Sequence, residues 1–148
     1  MIMKTSRILK VVPPALVMSW LLTEASLAQV PRLHIEANLK SEPLVLNGIS
    51  GGAVFSTCGN ISNTPNQIIH LTKPLPYLRL TVDGSGQPTL LIDGPGGRFC
   101  VLADNYSESK PELAGYFMPG EYLLYIGQLS PGQHDYNLLI SQQKKPIK

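Results

Sequence analysis

Between Tyr77 and Val82 the chain alternates without a break. Leu78, Leu80 and Val82 are aliphatic, while Tyr77, Arg79 and Thr81 carry polar atoms. Extended backbone sends successive side chains to opposite faces, so this run predicts a strand with one face buried. Asp83-Gly84-Ser85-Gly86 ends it, Thr89-Leu90-Leu91-Ile92 resumes an extended run, and Gly94-Pro95-Gly96-Gly97 turns the chain before Arg98-Phe99-Cys100-Val101-Leu102. Further runs follow at Glu121–Ile126 and Asp135–Ile140, separated by Ser130-Pro131-Gly132. Upstream, Leu44-Val45-Leu46, Ala53-Val54-Phe55 and Gln67–Leu71 complete the set.

Eight short strands at intervals of roughly ten residues, with turn residues between them, predict an all-β domain, an antiparallel β-sandwich or a small barrel. No stretch after Gln29 keeps a helical period over three turns. The 13 prolines and 13 glycines leave few windows in which a helix would run unbroken.

The first residues change the picture of charge and location. Lys4, Arg7 and Lys10 precede an apolar run from Val11 to Leu22, and Ser26-Leu27-Ala28 supplies small residues. This is the pattern of a secretory signal peptide over 1–28, cleaved before Gln29. The apolar run is too short for a spanning helix, which needs roughly 20 residues. The expected organisation is then a lead-in over 29–40, the sandwich over 41–141 and a flexible tail over 142–148. Loss of the leader lowers Lys plus Arg from 12 to 9 and Asp plus Glu from 10 to 9, so the formal charge of +2 belongs to the leader. A neutral domain without a basic stripe has little to offer a phosphate backbone, which argues against nucleic acid. An exported chain with two cysteines, Cys58 and Cys100, predicts one disulfide.

Gly48-Ile49-Ser50-Gly51-Gly52 fits G-x-S-x-G, the motif that presents a nucleophilic serine. Such a serine sits on a strand-to-helix turn, whereas a β-prone run follows Gly52. A Ser50 hydrolase is therefore the minor reading, with no spacing that favours a histidine partner. The Gly94–Gly97 run leads into a strand and carries no Lys-Ser pair, so it reads as a hairpin turn rather than a phosphate loop. His34, His70 and His134 do not cluster along the chain and read as ordinary surface or packed residues. Asp104-Asn105-Tyr106-Ser107-Glu108 is rich in the oxygen donors that calcium takes, and Asp93 is placed to join Asp104 and Asn105. Tyr106 and Tyr116 are candidates for stacking on a sugar ring, as are Tyr77 and Tyr125. Together Asp104, Asn105, Tyr106, Glu108 and Tyr116 form the expected ligand surface, because loops on a rigid sandwich commonly carry binding.

The order of motifs resembles the bacterial pre-peptidase C-terminal-like domains. Thr89–Ile92, the Gly94–Gly97 turn, an aromatic residue with Cys100, and Asp104-Asn105 follow their sequence of strand, turn, aromatic-Cys and acidic pair. Pro119-Gly120-Glu121-Tyr122, Tyr125-Ile126-Gly127 and Tyr136–Ile140 continue the likeness. The resemblance implies a secreted, non-catalytic sandwich of jelly-roll type, often appended to exported proteases, sometimes found alone, and in some collagen-binding relatives dependent on calcium; a monomer is expected. The chain departs from that pattern at Val101-Leu102-Ala103, which separates Cys100 from the acidic pair, and in having Asp-Asn in place of Asp-Asp. The expected function is a secreted or periplasmic binding or structural module acting on envelope polysaccharide or an exported protein. An accessory or inhibitory partner of a separate exported protease is the alternative of the same class.

Overall fold

The computed structural model describes residues 29–103 and 110–145. Every regular element among them is a strand: β1 Arg32–Ile35, β2 Leu44–Ser50, β3 Val54–Ser56, β4 Gly59–Ile61, β5 Gln67–Leu71, β6 Leu75–Gly84, β7 Pro88–Gly94, β8 Gly97–Val101, β9 Glu112–Phe117, β10 Gly120–Gln128 and β11 His134–Ser141. The expected signal segment lies outside the described residues.

These strands form two sheets packed face to face, a β-sandwich. The larger contains β1, β5, β10, β7 and β8 with the β3–β4 hairpin, and the smaller runs β2-β11-β6-β9. All eight predicted strands are present. The three that alternation missed are short or carry weak signals: β1 is four residues, β4 is Gly-Asn-Ile, and β9 contains Ala114 and Gly115. The sandwich is not wholly antiparallel, because β1 pairs parallel with β5 before the chain crosses to the other sheet as β2. The lead-in thus supplies an edge strand.

The core lies between the sheets and follows the alternation. Leu78, Leu80 and Val82 of β6 face Leu90, Leu124 and Ile126, with Leu138 and Ile140 beside them, all fully buried. Burying an aliphatic side chain of this kind contributes about 1.5–3 kcal/mol before entropy is counted. A second, smaller cluster explains why β7 is a continuous apolar run. Leu91 points away from the main core and is covered by Cys58 and Ile61, with Tyr125 packed alongside. The turn before β4 folds over this face, where Thr89 Oγ1 donates to the Cys58 carbonyl at 2.6 Å. The predicted disulfide joins Cys58 to Cys100 of β8, with the α-carbons 5.6 Å apart. It ties the edge strand β8 to the body of the sheet.

Candidate binding groove

The edge strands β8 and β9 belong to different sheets, and each has one strand neighbour among the described residues. A groove of about 350 Å³ opens between them. Its floor is core: Ile92, Phe117 and Tyr122, the two aromatic rings 5.2 Å apart. The Tyr122 hydroxyl donates to the Met118 carbonyl at 2.8 Å, and burial pushes that phenol above its ordinary value of 10.0. The walls are Phe99 on β8, Tyr116 on β9 and Met118 beyond it, which are 52%, 63% and 41% exposed.

Local sequence builds this opening. Asp93 pairs with Arg98 and Gly94 with Gly97 across a tight hairpin, so Pro95-Gly96 turns the chain as the motif predicted. Phe99 pairs with Ile92, whose side chain faces the main core, and so leans over the groove, while Cys100 takes the opposite face to its disulfide. On β9, Gly115 lies opposite Leu78 and leaves open space where a side chain would stand. The lining offers ring faces, methyl groups and backbone, with few free polar side-chain atoms.

A second depression, of about 460 Å³, lies on the outer face of the smaller sheet. Its floor uses the polar side of β6 that alternation predicted, Arg79 and Thr81. Thr81 Oγ1 donates to Glu112 at 3.0 Å, and Lys145 reaches the same carboxylate at 2.7 Å. Glu42 accepts from the Ser141 hydroxyl and from the Gln142 backbone N–H. Glu42 is held below the ordinary 4.5 chiefly by the Ser141 hydrogen bond, then by Gln142 and Arg79. Burial raises Glu112, but the bonds from Lys145 and Thr81 and the charge of Arg79 outweigh it, and the net shift is downward. Residues 142–145 cross this face; Gln142 also donates to the Ala37 carbonyl at 2.7 Å, and Lys144 stands over the Tyr77 ring.

The predicted site residues divide sharply. Tyr116 stands on the rim of the apolar groove. Asp93 lies on the hairpin, half exposed and 3.6 Å from Arg98. Asp104, Asn105, Tyr106 and Glu108 lie outside the described residues. Among the described residues, no three His, Cys, Asp or Glu side chains gather to hold a metal.

The Ser50 hydrolase reading needs correction. Ser50 is fully buried, its hydroxyl donates to the His134 carbonyl at 2.8 Å, and it accepts from Gln128 Nε2 at 2.8 Å. The hydroxyl proton is thus held by a carbonyl rather than by an imidazole base. The motif glycines answer to packing. A side chain at Gly48 would strike the Tyr136 hydroxyl at 2.4 Å, and one at Gly52 would meet the Ile61 carbonyl at 2.4 Å. The histidine reading is also corrected in part. His34 and His70 are register partners on β1 and β5, with ring centroids 5.3 Å apart. Distance along the chain concealed this pair, because a parallel partner needs no hairpin to announce it.

The fold of this architecture is that of the pre-peptidase C-terminal-like sandwich. The chain superposes on the pre-peptidase C-terminal domain of collagenase from Bacillus anthracis with a TM-score of 0.50, covering 76% of this chain and 97% of that one at 13% identity. It also aligns with PliG of Salmonella Typhimurium, a periplasmic inhibitor of g-type lysozyme, at a TM-score of 0.39 and 14% identity, over 74% of this chain and 97% of that one. In sequence the chain belongs to the family of the uncharacterized protein Synpcc7942_2126 of Synechococcus elongatus. The two are 35% identical over 120 residues, 78% of this chain and 86% of that protein. No family model matches the chain.

Proposed function

We propose that this protein is an exported, non-catalytic binding module that takes an apolar side chain of an exported protein partner into the groove between β8 and β9. The observation that carries this reading is the joint exposure of Phe99, Tyr116 and Met118 around one opening whose floor is the core itself. Two strand edges flank the opening, and exposed edges pair readily with an added extended segment whose side chains fill adjoining pockets. Aromatic residues and methionine are also the residues that protein interfaces enrich.

A polysaccharide is the second reading, favoured by Tyr116 alone. A sugar needs directed hydrogen bonds as well as a ring face, and the lining is poor in free polar groups. Export is supported by the leader-like first 28 residues and by the disulfide, which persists in oxidising compartments. Calcium at Asp93, Asp104 and Asn105 is kept as a separate proposal that rests on the oxygen donors of the sequence.

The test is site-specific photocrosslinking in cells. A benzophenone side chain at position 116 or 99 should trap one discrete protein, and the same group at exposed Ile49, on the opposite edge of the smaller sheet, should not. Equal trapping at all three positions, or none at 116 and 99, would remove the protein reading. A melting shift with envelope polysaccharide that disappears in Tyr116→Ala would put the sugar reading in its place. A calcium-dependent shift reversed by chelator would establish the ion.

A further inference from the structure

We infer that His34 and His70 form a binding site for a divalent transition cation of the zinc type on the outer face of the larger sheet. The two residues lie opposite each other on adjacent parallel strands, their rings 5.3 Å apart and tilted by 57°. His70 is half buried, and its neighbours Ile69 and Leu71 point into the core, which fixes the backbone beneath it. His34 is exposed and free to turn about its side-chain bonds. A tetrahedral ion bound at 2.0–2.1 Å needs its two nitrogens about 3.3 Å apart, a spacing that rings at this separation reach by rotation.

The donors select the ion. Imidazole nitrogen suits zinc, nickel and copper, whereas calcium and magnesium take oxygen. The two imidazoles alone face each other as the side chains now stand; Glu121 of β10, the register partner of His70, becomes a third donor only by leaving Arg32. Its carboxylate now accepts from Arg32 at 3.1 Å, and Arg32 shares the strand face of His34. Both members of that ion pair are about half exposed. Such a pair is weakly held, so Glu121 is free to exchange Arg32 for the cation. Water completes the shell. The consequence is mechanical: β1 is a four-residue edge strand, and the ion would bolt it to β5.

The experiment uses the untagged chain with zinc chloride, read by melting and by titration calorimetry. About 0.1 mM zinc should raise Tm by several degrees, and a chelator should reverse the rise. His34→Ala and His70→Ala should each weaken binding at least tenfold, Glu121→Gln by less, and His134→Ala not at all. His34→Ala changes an exposed side chain, so loss of folding does not confuse the result. Absence of heat and shift in the parent chain overturns the site. A shift of equal size in His34→Ala, or one lost in His134→Ala, also overturns it.

Discussion

The two depressions on this sandwich differ less in size than in how the chain treats them. On the outer face of the smaller sheet, about 460 Å³ is lined by charge, and most of that charge is answered from within. Glu42 is served by Ser141 and Gln142, Glu112 by Thr81 and Lys145, and Lys110 by Asp83 at 3.5 Å. The buried Arg79 Nε is the exception, without a hydrogen-bond partner. Between β8 and β9, about 350 Å³ is lined by rings and methyl groups that no described residue covers fully. Exposed charge costs nothing in water, whereas three clustered apolar side chains leave favourable burial unrealised. A polar hollow whose charges the chain has mostly paired is architecture. An apolar one left open is where a partner gains most.

The strongest way to break this contrast is to remove the disulfide. The bond between Cys58 and Cys100 closes a loop with a sequence separation of 42. Replacing both cysteines with serine should cost about 4 kcal/mol in the chain-entropy treatment. The loss should be regional. Strand β8 is one wall of the apolar groove and has β7 as its strand partner, whereas the polar hollow is built on β6, β9 and β11. Hydrogen exchange should therefore quicken over Gly97–Val101 before it does so over Leu78–Val82. Equal loss of protection in both stretches would show that the two regions unfold as one unit.

A smaller change sharpens the comparison from the groove floor. Tyr122→Phe deletes the hydroxyl that donates to the Met118 carbonyl. One such bond is worth about 1 kcal/mol, to be read as a lower urea midpoint at unchanged slope. Met118 should then move more freely, and the partner trapped at position 116 should bind more weakly.

Much of this was legible in the residue pattern, and the limits were physical. The inward set of β6 could be read because one buried face enforces a period of two. Leu91 could not be assigned a side in advance, because β7 is covered on both faces and its apolar run has no period. The groove was half visible. The sequence marks Tyr116 as a loop aromatic, but its companions Phe99 and Met118 come from other elements and meet it through the register of β8 and the turn after β9. Glycines misled in the opposite sense. Gly48 and Gly52 looked like the frame of a nucleophile, yet each is small because Tyr136 or the Ile61 carbonyl occupies the space above it.

The polar hollow makes its own prediction through acid. Glu42 and Glu112 have folded values below the ordinary 4.5. A carboxylate lowered by folding contributes stability that is complete above its unfolded value and lost as pH falls through the folded one. Melting temperature should therefore fall as pH drops from roughly 5 to 3, and the fall should be shallower in Glu112→Gln. The effect should be smaller than that of Tyr122→Phe, since Glu42 is exposed, Glu112 is only partly buried, and solvent screens both. A partner bound at the apolar groove as proposed should respond little over the same range. A binding curve that tracked this titration would join the two regions after all.

The smallest effect on stability should come from the residue on which the binding reading turns most. Tyr116 is 63% exposed and stands on the rim, so Tyr116→Ala should change folding free energy by no more than about 0.5 kcal/mol. An aromatic that serves as a hot spot of an interface costs about 2 kcal/mol or more when truncated, about a thirtyfold loss of affinity. The two numbers come from different environments of the same ring, water in one case and a partner in the other. Their ratio is therefore the test. Near-zero loss in melting together with a large loss in binding places the ring in an interface. If instead Tyr116→Ala lowered the urea midpoint substantially and left crosslinking from position 99 intact, the ring would be part of the wall that closes the sandwich, and the opening between β8 and β9 would be no more a binding groove than the charged hollow on the other face.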